Sequence, residues 1–360
     1  MSSIKERVER FCRAFDLRLP LLLAPMAGVP APSLSVAVAA AGGLGACGAL
    51  LMGPAEIESW ASAVRTAGTT AFQINLWIPD PPAVRNAAQE AAVRTFLARW
   101  GPEVPERSGE SALPDFTSQC QALLRVRPPI VSSIMGLYPR GFVQQLKAHG
   151  IAWSATVTTV AEARAAEEAG ADLIVAQGME AGGHRGCFEA QYAQDRLVGL
   201  MALLPAVVDA VRVPVVATGG IADARGIAAA LVLGASAVQI GTGFLRCPEA
   251  KLHPVWAAAL AHTAPEETIV SRVFSGRSGR SIATDYTRAA TAPGAPAAAP
   301  YPVQRDLTAP MRRAATERGD LNGMQAWAGQ SAHLARAEPA AVLTQQLWAQ
   351  SSSLLAAARL

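Results

Sequence analysis

"VPVVATGGIADARGIAAALVLGASAVQIGTGFL", residues 213–245, contains two short apolar runs, each ended by glycine, with an Ala-rich segment between them. The runs 213–219 and 236–241 have the length and Val/Ile content of buried strands, whereas 223–233 has the length of a helix. Gly234 sits where a left-handed residue closes a helix. Strand, helix, strand in this order is the crossover unit of a parallel sheet with helices on its face.

The same unit recurs upstream. Strands are expected at 21–24, 43–48, 71–77, 129–134, 151–156 and 172–177, with helices at 32–41, 54–66, 139–148, 159–169 and 199–211. Pro54 opens one helix, Thr158 or Thr159 caps another, and Gly150 and Gly170 close two more. Eight strand-helix units by residue 245 predict a (β/α)8 TIM barrel over 1–245 in preference to a doubly wound sheet. Residues 82–127 exceed what one crossover needs, so an insertion is expected there. Residues 246–324 hold "FSGRSGRS" (274–281) and "AATAPGAPAAAPYP" (289–302), which predict a lid or substrate-binding region containing extended chain. Residues 325–360 return to Ala/Leu helix, expected to pack back on the barrel.

Composition narrows the function. A net charge of +3 without a basic run gives no footprint for nucleic acid or an anionic membrane. Five scattered cysteines without a C-x-x-C pair argue against a disulfide framework or a structural zinc site and fit a reducing cytosol. The charged N-terminus lacks the apolar core of a signal peptide, and Gly or Pro breaks every apolar run short of the roughly 18 residues a membrane helix requires. A cytoplasmic protein acting on small molecules is expected, with a homodimer as the candidate assembly and the number of subunits left open.

In a TIM barrel, chemistry is done at the C-terminal ends of the strands. The residues there are Met26 and Ala27 after the first strand, Asn75, Ser132, Ser133, Thr156, Gln177 to Gly186, Gly219 and Gly220, and Gly241 and Thr242. None of the three lysines lies at a strand end, which removes a Schiff-base nucleophile. Glu180 is the only carboxylate close to one, too few for a divalent metal. An organic cofactor is therefore expected. The glycines at 219–220 and 241–242 leave backbone N–H groups for a phosphate, the first pair leading into a helix, and Asn75 and Gln177 are amides suited to the edge of a flavin ring. "GLGACG" (43–48) matches G-x-G-x-x-G but follows a helix and is itself a strand, so it is no dinucleotide fingerprint.

One imidazole stands apart. His184 lies in "VAQGMEAGGHRG" (175–186), where the glycines either make a tight turn or clear space for a reactive ring. His149 suits a helix end, and His253, His262 and His333 lie outside the barrel loops. Cys187 beside His184 does not complete a metal site, and no metal is expected.

"LAPMAGVPAPSLSVAVAAAGGLGACGA", "FQINLW", "AQGMEAGGHRG", the segment 213–245 and the tail "YPVQRDLTAPMRRAA…AWAGQ" resemble class I nitronate monooxygenases, formerly grouped as 2-nitropropane dioxygenases. The resemblance implies FMN as cofactor, an alkyl nitronate and molecular oxygen as substrates, and a carbonyl compound and nitrite as products. It implies flavin-binding roles for Met26, Ala27, Asn75, Gln177, Gly182, Gly219, Gly220, Gln239, Ile240, Gly241 and Thr242. It also implies that His184 is the catalytic histidine, stabilising nitronate oxyanions or abstracting the α-proton of a neutral nitroalkane, and that Tyr301 lies over the substrate. The stretches 82–127 and 276–299 have no clear counterpart. An FMN- and NAD(P)H-dependent enoyl-thioester reductase and a flavin-free phosphate-binding barrel are the alternatives.

Overall fold

Eight of the strands form one parallel ring in the computed structural model, which describes residues 3–29 and 31–358. Met1 and Ser2, which fall in the barrel segment expected from the sequence, lie outside the described residues, as do Pro30 of the block 23–49 and the last two residues of the C-terminal helical segment. The strands are β1 Leu21–Leu23, β2 Gly45–Gly48, β3 Phe72–Trp77, β4 Ile130–Ile134, β5 Ala152–Val157, β6 Leu173–Gln177, β7 Gly183–His184, β8 Val215–Thr218, β9 Ala237–Ile240, β10 Thr268–Ser271 and β11 Gly279–Ile282. The large sheet runs β1-β9-β8-β6-β5-β4-β3-β2. It closes where Leu44 N–H donates to Leu21 O (3.0 Å) and Leu23 N–H to Leu44 O (2.8 Å). This is the (β/α)8 TIM barrel.

Strand alternation divides the side chains by level. Leu22, Leu44, Ile130, Leu173, Val175, Val216 and Ala237 form one apolar cluster with Phe11, from the helix Ile4–Ala14. That helix starts with a reciprocal Ser3/Glu6 capping box and plugs the barrel floor. Two residues further along their strands stand polar side chains, Gln177, Thr218 and Gln239, at the mouth. The residues between them, such as Ile174, Ala176, Val238 and Ile240, pack outward under the helices.

The range 82–127 contains two helices with different duties. Phe116–Val126 packs on the helix Pro54–Thr66 and is the ordinary crossover between β3 and β4. Ala87–Leu97 instead joins a second core, in which Val93, Phe96, Leu97 and Val104 pack with Phe274, Tyr286, Val303, Leu307 and Met311. The extra chain is thus 82–115. A three-stranded antiparallel sheet, β10-β11-β7, ties this second body to the barrel. The sequence did not predict it. No helix or strand lies between Thr291 and Val303, where Ala and Pro dominate. The helix Ala340–Ala357 packs against Pro32–Ala41 and Ala224–Val232 and completes the outer ring. Among the described residues no helix is long and apolar enough to cross a membrane.

Candidate active site

A cavity of about 680 Å³ opens at the C-terminal end of the barrel, between its loops and the second body. Its lining includes Met26, Ala27, Asn75, Gln177, Gly182, His184, Gly219, Gly220, Gln239, Gly241, Thr242 and Tyr301, so the structure brings together all but one of the residues to which the resemblance gives a role; Ser132 and Ser133 do not line it. The exception is Ile240. Its side chain is 1% exposed in the core under the helices, because it follows Gln239 on the strand and must face the other way.

The glycine loops leave donors unpaired. Among the described residues the N–H groups of Gly219, Gly220, Gly241 and Thr242 donate to no protein acceptor. Gly219 and Gly220 adopt φ of +113° and +68°, which only glycine takes without strain. The next helix, Ala224–Val232, contributes nothing to an anion there, because Asp223 caps it with its own carboxylate (Gly226 N–H to Oδ1, 3.0 Å). The expected cradle is therefore loop backbone alone. Asn75 Nδ2 donates to Ser132 Oγ (3.1 Å) and Gln73 Nε2 to Gln239 Oε1 (3.0 Å), so Asn75 Oδ1 and Gln239 Nε2 are left without a protein partner among the described residues.

Gln177 departs from expectation. Its Nε2 donates to His184 O (3.1 Å) and its Oε1 accepts from Gly186 N–H (2.8 Å), so both ends of the amide hold the histidine loop. The same loop is half of a strand pair, with Gly183 and His184 opposite Arg280 and Gly279. The glycines therefore form an edge of sheet rather than an isolated turn.

His184 is half-buried between two indoles, with ring centroids 4.7 Å from Trp77 and 4.7 Å from Trp327. Its Nε2 lies 2.7 Å from Ser275 Oγ. Burial first, then the guanidinium groups of Arg277, Arg305 and Arg312, push its pKa from 6.5 down to about 3, so the ring is neutral at ordinary pH. Tyr301 stacks obliquely on Trp77 (5.4 Å), and its buried hydroxyl has no partner among the described residues. Burial raises that phenol to about 12, which keeps it a donor. Among the described residues the wall carries Lys251, Arg305 and Arg312 and no carboxylate, and Arg305 Nη1 lies 3.5 Å from Asp306 Oδ1. Arg312 is bonded only to neutral acceptors: Thr308 Oγ1, Gln325 Oε1 and Arg305 O.

A cavity with a neutral imidazole, a free phenol, cations and a loop of open backbone donors suits an anionic small molecule beside a phosphate-bearing cofactor. The model of the family described as nitronate monooxygenase matches residues 10–350. A nitronate monooxygenase of Pseudomonas aeruginosa is 40% identical over 347 residues, covering 94% of this chain and 98% of that protein. The chain belongs to the nitronate monooxygenase family. It is accordingly an enzyme, an oxidoreductase. Among solved structures it is similar to a nitroalkane oxidase from Streptomyces ansochromogenes, with a TM-score of 0.85 and 36% identity over 95% of this chain and 98% of that one. It is also similar to FabK from Thermotoga maritima, with a TM-score of 0.75 and 26% identity over 97% and 98%.

In this nitronate monooxygenase much of the cavity wall has no signature in the local sequence. Trp77 ends "FQINLW" and Trp327 opens "WAGQ", and nothing local shows that they flank one ring. Ser275, Arg305 and Arg312 lie about 90 residues or more beyond His184 in the chain and reach it only through the second body. Ser331 Oγ donates to Gly220 O (2.6 Å) and Gly329 N–H to Thr242 Oγ1 (3.0 Å), which gives the tail a part in holding the glycine loops.

Proposed function

We propose that this enzyme oxidises alkyl nitronates with molecular oxygen, using FMN, and releases a carbonyl compound and nitrite. The observation that carries the reading is the placement of a neutral His184, flanked by two indoles, in the same cavity as four unpaired backbone donors. The residues fit FMN. The amides of Gly219, Gly220, Gly241 and Thr242 would hold its phosphate and Asn75 Oδ1 and Gln239 Nε2 its polar edge, with Met26, Ala27 and Gly182 also lining the site. Bound there, FMN supplies the electron acceptor that passes electrons on to oxygen.

The protein's own groups handle charge and protons. Arg312, bonded to neutral acceptors, draws an anion into the wall beside Arg305, which is itself paired with Asp306 (3.5 Å), and the Tyr301 hydroxyl is a donor awaiting an oxygen. With the oxyanions so provided for, His184 is left to the α-carbon, where it accepts the proton of a neutral nitroalkane. A base with pKa about 3 is weak. The negative charge that forms beside it offsets the arginine field as the proton moves. Preformed nitronates, which need no such step, are therefore the faster substrates.

The test is oxygen uptake by the purified yellow protein with a preformed nitronate, with and without NADH. Nitrite release at the same rate in both is expected. Rapid reduction of the flavin by NADH, coupled to an enoyl thioester, transfers the assignment to a reductase, and a protein that takes up no FMN ends the flavin reading. His184→Asn is expected to cost the roughly 10²–10⁴-fold of a lost general base on neutral nitroalkanes while FMN stays bound.

A further inference from the structure

We infer that Ser275 sets the tautomer of His184, so that Nε2 carries the ring proton and Nδ1 is the atom that receives the substrate proton. This rests on the reading of His184 as the base. Ser275 is 1% exposed, and its Oγ lies 2.7 Å from His184 Nε2, 3.2 Å from Arg277 O and 3.3 Å from Arg277 N. A hydroxyl donates once and accepts twice. The Arg277 N–H fills one acceptor position. The question is where the single hydroxyl proton goes.

The Arg277 carbonyl answers it. Arg277 is 2% exposed, and among the described residues its carbonyl has no donor other than Ser275. A buried carbonyl without a donor is costly, and most such groups in folded proteins are paired. If Ser275 donates to Arg277 O, its remaining lone pair accepts Nε2–H from His184 and every group is satisfied. If Ser275 donates to Nε2 instead, the Arg277 carbonyl is orphaned and Nδ1–H faces the substrate with no lone pair to offer.

The surroundings hold this arrangement in place. Ring reversal is opposed by Trp77 and Trp327 on either side, and the main chain is pinned by Gln177 and by pairing with Gly279. Nδ1 makes no hydrogen bond to the described residues. Arg277 is anchored through its guanidinium to Asp80 and to Cys187 O (3.1 Å), so the acceptor at the end of the relay does not drift. In the reaction the Cα–H bond of the nitroalkane breaks, its electron pair stays on the substrate as nitronate, and the proton forms Nδ1–H. The resulting imidazolium keeps its Nε2–H on Ser275.

The test is 15N NMR of the FMN-loaded protein labelled at histidine, with His184 assigned by its loss in His184→Asn. A non-protonated Nδ1 and a protonated Nε2 are expected; a protonated Nδ1 in the neutral ring overturns the inference. In Ser275→Ala the two tautomers should mix, and kcat on a neutral nitroalkane should fall by about threefold to tenfold, the size of one neutral hydrogen bond. Turnover of preformed nitronate should fall less, and Ser275→Thr should restore the wild-type ring signals. Equal losses on both substrates with an unchanged tautomer would show a merely structural serine. Near-normal turnover by His184→Asn on both substrates removes the base reading itself.

Discussion

His184 and Gly279 face each other in an antiparallel strand pair, so the imidazole and the second body share one small sheet. The pairing leaves no room on the partner strand. A Cβ on Gly279 would sit 2.9 Å from two ring atoms of Trp327, the indole that flanks His184. Gly279→Ala should therefore cost about 1–3 kcal/mol of stability through overpacking. Turnover should drop further than FMN content, because the displaced indole leaves the imidazole loose. Urea denaturation and steady-state assays check this, and unchanged values in both contradict the packing described.

Tyr301→Phe removes a buried hydroxyl that has no partner among the described residues. A hydroxyl that waits for a ligand contributes nothing to the folded protein, so stability should hold or rise slightly. The KM for a nitronate should rise severalfold, with a smaller effect on kcat. A marked fall in melting temperature would show an internal partner for the phenol.

Arg312→Met keeps much of the volume and deletes a cation from the carboxylate-free wall. Loss of a charge-assisted contact is worth roughly 1.5–3 kcal/mol, so kcat/KM for preformed nitronate should fall by at least about tenfold. Added salt should depress the wild type more than the variant. Equal salt sensitivity in both would remove Arg312 from substrate attraction.

Gly220→Leu places a side chain at φ +68° with its Cβ 3.0 Å from Glu180 Cβ. The loop must move, and the open amides of Gly219 and Gly220 move with it. Purified variant should carry much less flavin per chain than wild type, measured by visible absorbance after gel filtration.

His184 also gives the fold a pH dependence of known sign. Unfolded, the ring takes a proton near 6.5, whereas folded it does so only near 3. Below pH 6.5 the unfolded chain binds the extra proton, so the contribution of His184 to stability is complete above 6.5 and is lost as pH falls toward 3. Going from pH 7 to pH 5, the urea midpoint of the wild type should fall more than that of His184→Asn. Parallel shifts in the two proteins would mean that the folded ring titrates normally.

The barrel was readable because most of its strands are short, largely apolar runs with glycine or proline close to one end, and the glycine loops at 219–220 and 241–242 end two of them. What escaped depends on partners far along the chain. β7 is two residues long and becomes a strand only by meeting β11, 95 positions later. Gln177 is an amide at a strand end, and nothing in its neighbourhood says whether it turns to a ligand or back to Gly186. Nothing within 82–127 shows which part is the crossover helix, Phe116–Val126, and which the insertion. Ile240 is different. The alternation that sends Gln239 inward sends Ile240 outward, and that rule was available from the sequence alone.

The cavity has two walls of separate origin. One is made by barrel loops resting on the main core, the other by a body whose Phe96, Phe274, Tyr286 and Leu307 pack among themselves. Substitutions in well-separated sites add almost independently. A lineage can therefore change what it admits to the cavity by altering one wall, while the loops that grip the cofactor are inherited untouched. For redesign, the same division marks out the second body as the set of positions to randomise when a new nitro compound is to be accepted.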